Sequence, residues 1–225
     1  MKIDFPSSAL LEIDVQNDFC PGGALAVDHG DGVIKPLNSL AALFFRRGGK
    51  IIATQDWHPE NHVSFASAHP GKNPGDIINT GGAEEQMLWP DHCVRSKTGA
   101  DFHRDLDLAY THLIIRKGSG RDLDSYSAFF ENDKKTSTGL AGYLKVLGIK
   151  SVFLGGLAAD YCVFYSAMDA IGLNFSTYII KDAVRGVGVP AGSVEKAFRI
   201  MEDAGILVLD SAEILKNEMN GDNNK

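Results

Sequence analysis

Six short apolar runs recur along this chain, separated by intervals long enough for helices, and this alternation restricts the fold more than any other feature. The runs fall at 10–15, 50–54, 112–116, 151–156, 175–180 and 206–209. Between 33 and 47, Ile34, Leu37, Leu40, Leu43 and Phe44 share one helical face, and Gly48-Gly49 ends the pattern. Further helices are expected near 138–147, 161–171 and 191–204. Strands joined through helices form right-handed βαβ units. The expected fold is therefore α/β: one three-layer domain over 1–225, with a six-stranded parallel sheet covered by helices on both faces. Ligands on such a sheet bind beyond the carboxyl ends of the strands.

One interval breaks the rhythm. Residues 55–110 show no sustained periodicity and hold five of the seven histidines. A loop this long in a compact domain is usually functional, and Trp57 and Trp89 argue for order within it. The tail over 217–225 is polar and reads as frayed.

Composition removes several partners. A formal charge of −7 with no basic stretch argues against a nucleic-acid backbone. No apolar run reaches the roughly 18 residues of a membrane span. The N-terminus lacks the apolar core of a signal peptide, and Cys20, Cys93 and Cys162 form neither a CxxC pair nor an even-numbered framework, so a reducing cytoplasm is expected. Apolar residues on several helices suit a core or an interface equally, so monomer and homo-oligomer both remain open.

Three residues stand at strand ends. Cys162 follows the run 151–156 and opens an apolar helical run, where outward N–H groups and the helix dipole favour a thiolate. Its alternative is a small core residue. Asp14 closes the first strand, where burial raises a carboxyl pKa toward that of a general base; otherwise it is a turn or cap residue, the role that suits Asp18 better. Lys117 ends the third strand, where a cation can balance a carboxylate and a thiol, unless it is simply solvated. Arg116 alternates to the opposite face. Parallel topology brings these strand ends to one sheet edge, where base, cation and nucleophile can converge.

A second group lies in the long loop. Asp56 and His58 are two apart in an extended segment, so both point the same way, and His92 can add a third ligand. Carboxylate with imidazole suits Zn, Fe or Mn better than Ca or Mg. His62 or Ser64 could contribute further, although His62 reads as a surface histidine; His29 and His112 read as structural.

Six ordered motifs now carry a resemblance: Asp14-Val-Gln-Asn-Asp-Phe-Cys-Pro-Gly-Gly, Thr54-Gln-Asp-Trp-His-Pro, Trp89-Pro-Asp-His-Cys-Val, Ile115-Arg-Lys-Gly, Asp124-Ser-Tyr-Ser-Ala-Phe and Gly155-Gly-Leu-Ala-Ala-Asp-Tyr-Cys-Val. Over about residues 8 to 210 the chain resembles nicotinamidases, members of the isochorismatase-like cysteine hydrolases. The resemblance implies that Cys162 is the nucleophile, Asp14 the general base and acid, and Lys117 their supporting cation. It implies one divalent metal, zinc first, on Asp56, His58 and His92, and a cis peptide between Leu157 and Ala158. It also implies an oxyanion hole from the N–H groups of Ala158 and Cys162, and an aromatic clamp from Phe19 and Trp89, with Tyr161 nearby. The implied reaction turns nicotinamide and water into nicotinate and ammonia, in NAD salvage, with pyrazinamide as a side substrate.

Other readings compete. The metal could activate water while Cys162 merely packs, or the chain could bind a metal or ligand without catalysis. Within the family, isochorismatases lack the cysteine, and amidases acting on carbamoyl groups usually lack the aspartate-histidine cluster.

Overall fold

The computed structural model describes residues 2–79 and 85–219. Its strands are β1 (Ser8–Ile13), β2 (Lys50–Asp56), β3 (Ile77–Asn79), β4 (Glu85–Met87), β5 (Leu113–Lys117), β6 (Ser151–Leu157), β7 (Ser176–Arg185) and β8 (Leu207–Leu209). Its α-helices are α1 (Ile34–Arg46), α2 (Leu140–Val146), α3 (Cys162–Gly172), α4 (Ser193–Asp203) and α5 (Ser211–Met219). Six strands pair in parallel, as the alternation predicted, and their order is β5-β2-β1-β6-β7-β8.

The two faces of the sheet are covered differently. Leu10, Phe153 and Ile180 pack against Leu37, Leu40, Leu43 and Phe44 of α1, with Ile214 of α5 joining them. Leu11, Ile13, Ile52 and Leu154 pack against Leu140 and Leu144 of α2, Val163 and Ala167 of α3, and Met201 of α4. β1 and β6 lie between these layers and are almost wholly buried, which is why both read as continuous apolar runs rather than alternating ones.

The strand order reverses direction between β1 and β6. From β1 the chain winds outward through β2 to β5, then returns to β6 on the other side of β1 and continues to β8. The carboxyl ends of β1 and β6 thus flank the topological switch point, where open α/β sheets hold their ligands.

Several boundaries differ from expectation. β1 stops at Ile13 because Asp14 takes a positive φ of 48° and its carbonyl closes a tight turn on the Gln16 N–H, at 2.8 Å. β7 runs to Arg185 although Lys181 and Asp182 interrupt its apolar pattern; Asp182 is retained because its carboxylate accepts the Ser211 N–H and hydroxyl at the start of α5. α5 was not expected. Its sequence signal is half a capping box, in which the Glu213 carboxylate accepts the Asp210 N–H at 3.0 Å. The β3–β4 pair inside the long loop is also unforeseen, being too short for period-two alternation to show. Of the tail expected over 217–225, residues 220–225 lie outside the described ones.

Glu12 is the anomaly of the sheet. It sits in β1, fully buried, and neither carboxyl oxygen has a hydrogen-bond partner. Burial, with Asp107 adding to it, pushes its pKa up from 4.5 to about 8. The folded chain therefore holds a proton that the unfolded chain releases above pH 4.5. Stability falls as pH rises between those two values, by up to roughly 1.4 kcal/mol per unit, and the loss is complete above the folded pKa. Glu12→Met should melt higher than wild type, and its lead should widen by roughly 8–15 °C between pH 5 and pH 8.5. A lead that stays constant across that range, measured by thermal melts, would show that Glu12 does not carry this proton.

Candidate active site

The ends of β1, β2, β5 and β6 deliver four side chains to one point. Lys117 closes β5, is fully buried, and places its ammonium 2.9 Å from Asp14 Oδ2 and 2.5 Å from Asp56 Oδ1. It also donates to the Ser125 carbonyl at 2.8 Å and to Cys162 Sγ at 3.4 Å. One cation thus touches both carboxylates and the thiol, and Asp14, Asp56 and Cys162 offer ligand atoms all within 4.8 Å of one another.

Asp14 is held from β2 as well. Thr54 donates its hydroxyl to Asp14 Oδ1 at 2.6 Å, and the Thr54 oxygen accepts the Asp14 N–H at 3.1 Å. Oδ2 faces the ammonium without an aligned hydrogen bond, so it retains a lone pair for another proton. Burial raises the Asp14 pKa, with Asp56 adding to it and Lys117 opposing. Lys117, held by both carboxylates, titrates well above its ordinary value despite burial. Both shifts suit a carboxylate poised to accept a proton beside a permanent cation.

Cys162 corrects one expectation. It does begin α3, where the first N–H groups lack intrahelical partners. Yet burial pushes its thiol well above the ordinary range and the nearby carboxylates add to this, against the pull of Lys117. Burial and the two carboxylates outweigh Lys117, a balance that favours the thiol over the thiolate. The thiol needs a base to become a nucleophile, and the Asp14 carboxylate is within reach.

The second cluster adjoins the first through Asp56. Asp56 Oδ1 goes to Lys117, while Oδ2 lies 3.6 Å from His58 Nε2. His58 Nδ1 meets the Gly118 carbonyl at 2.9 Å, and His92 Nδ1 meets the Pro90 carbonyl at 2.7 Å. Each carbonyl requires Nδ1–H, so both rings present an unprotonated Nε2 when neutral, the orientation of a metal-ligating histidine. Ligand atoms of Asp56, His58 and His92 lie within 4.8 Å of one another, and all three residues are buried. This donor set fits a divalent transition metal. Gly118 permits it: its φ is +59°, and a Cβ there would stand 2.5 Å from the His58 ring.

Without an ion, burial alone would lift Asp56, but Lys117 and His58 hold its carboxyl below the usual range. Burial and the neighbouring His58 lower His92 to about 4.

His62 is not the surface residue expected. It is fully buried and stacks on His58, ring centroids 4.2 Å apart. Its Nδ1 meets the Ser64 hydroxyl at 2.7 Å and its Nε2 the Leu123 carbonyl at 3.2 Å. His62 also offers a ligand atom within 4.8 Å of those of His58 and Asp124, which keeps it a candidate further ligand beside the Asp56, His58 and His92 set. Asp18 is the turn residue expected, its carboxylate accepting the N–H groups of Ala24 and Cys93. Arg116 does alternate away, placing its guanidinium over the Trp57 ring at 3.9 Å. His29 lies on the surface, and His112 Nδ1 accepts the Ile51 N–H at 3.2 Å. The three cysteines are free.

A cleft of about 380 Å³, its open mouth included, joins the two clusters. Phe19, Trp89 and Tyr161 line it, as do Ala158, Cys162, Asp56 and His92. The Leu157–Ala158 peptide is cis. Leu25, Val187, Asp124 and Tyr126 complete the walls and were not foreseen as cleft residues. Asp124 and Tyr126 belong to a motif that carried the resemblance, but their loop has no periodicity from which a role could be read. Gln86 donates to Asp124 Oδ2 at 2.9 Å, and Trp89 Nε1 donates to the Tyr126 hydroxyl at 3.1 Å, which fixes the indole at the cleft wall.

The Isochorismatase domain family matches residues 8–213. The chain belongs to the isochorismatase family. This family member is 47% identical over 207 residues to the nicotinamidase of Acinetobacter baylyi, covering 92% of this chain and 94% of that one. A solved nicotinamidase and pyrazinamidase from Acinetobacter baumanii superposes with a TM-score of 0.87 at 44% identity, covering 93% of this chain and 98% of the other. The pyrazinamidase of Pyrococcus horikoshii, solved in complex with zinc, superposes at 0.75 with 36% identity, covering 91% and 99%. The doubly covered parallel sheet is thus the fold of this family, and the Asp56, His58 and His92 cluster is its candidate metal centre in this chain.

Proposed function

We propose that this chain hydrolyses nicotinamide to nicotinate and ammonia, and accepts pyrazinamide, through a thioester on Cys162. The observation that carries the proposal is the single buried ammonium of Lys117, which touches Asp14, Asp56 and Cys162, the last two of which line an aromatic cleft.

In this mechanism Asp14 Oδ2 takes the thiol proton, and sulfur bonds to the carboxamide carbon while the C=O π pair moves to oxygen. The N–H groups of Ala158 and Cys162 hold that oxyanion; in other enzymes one such donor contributes about 2.7 to 4 kcal/mol. The tetrahedral species collapses, the C–N bond breaks, and Asp14 returns its proton to the departing ammonia. A water molecule then gives a proton to Asp14 and attacks the thioester, releasing the carboxylate and restoring the thiol. Lys117 stays charged throughout and offsets the charge that passes between sulfur and Asp14. Phe19, Trp89 and Tyr161 hold the flat ring. Asp56, His58 and His92 would hold the metal, zinc in our reading, which when bound offers a Lewis-acid anchor for a ring nitrogen.

No described helix is long and apolar enough to cross a membrane. With three free cysteines and no basic stretch, a cytoplasmic enzyme acting on a small molecule rather than on nucleic acid is the consistent setting.

Purified protein should release ammonia from both amides and carry about one zinc per chain by elemental analysis. Chelation should raise the KM for nicotinamide tenfold or more, roughly the loss of one good anchoring contact. Iodoacetamide should abolish turnover, with nicotinamide protecting. Ammonia from neither compound would end the substrate assignment, and full activity after alkylation of Cys162 would hand the chemistry to the metal.

A further inference from the structure

We propose that Asp160 is a positioning residue that sets the width of the cleft by clasping the 186–192 segment, one residue of which, Val187, forms a cleft wall. The proposal rests on the amide-hydrolysis reading and adds to it a determinant of which ring substituents are admitted.

Asp160 stands in the turn between β6 and α3, two residues before Cys162, and is 7% exposed. Its Oδ1 accepts the Val187 N–H at 2.9 Å. Its Oδ2 accepts the Gly188 N–H at 2.9 Å and the Ser193 hydroxyl at 2.5 Å. The next residue holds the same segment, since the Tyr161 hydroxyl donates to the Val189 carbonyl at 2.6 Å. The two residues ahead of the nucleophile therefore grip three groups of the segment that leads into α4 and one at the first residue of α4.

The segment has little else to hold it. Residues 188–192 are exposed, and Gly188 takes a φ of +71° that few other residues adopt. At Gly186 a Cβ would meet Val194 at 2.3 Å and Asp160 Oδ1 at 3.1 Å, so the close approach depends on glycine. Val187 is half-buried and enters the cleft alongside Leu25 and Phe19. Its backbone N–H is held by Asp160, and its side chain packs against the core beneath the cleft. A merely structural aspartate would secure the turn and the start of α3 without affecting the ring of the substrate, so selectivity separates the two roles.

The experiment compares Asp160→Ala, Val187→Ala and the double variant on nicotinamide and its four ring-methyl isomers. A methyl group in an apolar pocket is worth roughly tenfold or more in kcat/KM. Val187→Ala should raise the relative kcat/KM of at least one isomer by about that factor, and Asp160→Ala should favour the same isomer, chiefly through KM. The double variant should gain no more than the larger single effect, because both changes act through one wall. Equal losses on all isomers in Asp160→Ala, or a lower melting temperature with unchanged selectivity, would overturn the proposal. If the wild type releases no ammonia from nicotinamide, the substrate reading fails separately, and deuterium uptake decides the clasp alone. Peptides over 186–192 should then exchange about tenfold faster in Asp160→Ala than in wild type, and equal exchange overturns it.

Discussion

Replacing Cys162 by alanine should lower ammonia release from nicotinamide by about 10⁴-fold or more while leaving the fold and the metal content unchanged. The size follows from what remains: a base, a cation, two oxyanion donors and a bound ring, but no atom to attack the carbonyl. Where a nucleophile acts as one member of a set, losing it costs nearly as much as losing the whole set. The fold should persist because Cys162 lies at the first position of α3, where removing one sulfur atom leaves only a small void among Ala159, Val163 and the cleft. The metal should persist because Asp56, His58 and His92 do not depend on the thiol for their orientation. Ammonia release, thermal melts and elemental analysis of the same preparation check all three parts. Turnover within tenfold of wild type would sink the thioester route.

Lys117→Met should be the most damaging single change, because it strikes stability and chemistry together. The ammonium is the common partner of Asp14 and Asp56, both buried, and its pKa is raised well above the ordinary lysine value. By linkage its stabilising contribution is present throughout neutral pH and disappears only in strong alkali, as pH rises through that folded value. Without the cation, two neighbouring buried carboxylates face each other. Breaking a buried pair of this kind typically costs about 3–5 kcal/mol, which for a chain of this size lowers Tm by roughly 10 °C. Turnover should fall by about 10³-fold or more, since Asp14 would then bind a proton too readily to take part in shuttling one. Adding Asp14→Asn to Lys117→Met should recover part of the melting temperature and none of the activity. Calorimetry alongside ammonia release separates the two effects. An unshifted Tm in Lys117→Met would mean that the carboxylates are not ionised as a pair in the folded chain.

The strand-ending residues were legible in the sequence because parallel topology converts three separated positions into one edge. Asp14, Lys117 and Cys162 needed only strand identity to be brought together. The upward pKa shift of Cys162 was not legible: the helix start argues for a thiolate, whereas burial and the neighbouring carboxylates, known only from the fold, push the thiol up. His62 failed for a related reason. A histidine among Pro, Glu and Asn looks solvated, and nothing local announces that the His58 ring will cover it. Asp124, Tyr126 and Val187 reach the cleft from loops whose course is set by tertiary contacts, so spacing could not reveal them. α5 was readable in principle from Asp210 and Glu213, a cue outweighed by the polar residues that follow.

The reversal of strand order between β1 and β6 has a bearing on how the enzyme comes into being. Ser8 pairs with Ser151 and Ile13 with Gly156, so the thiol and its base belong to stretches of chain far apart in sequence. Contacts of such high order form late, once shorter loops have closed. A ribosome-bound or partly unfolded chain can expose a cysteine, but that cysteine is an ordinary one with no carboxylate beside it. The pairing of thiol, carboxylate and ammonium therefore exists only once the two halves of the sheet have joined.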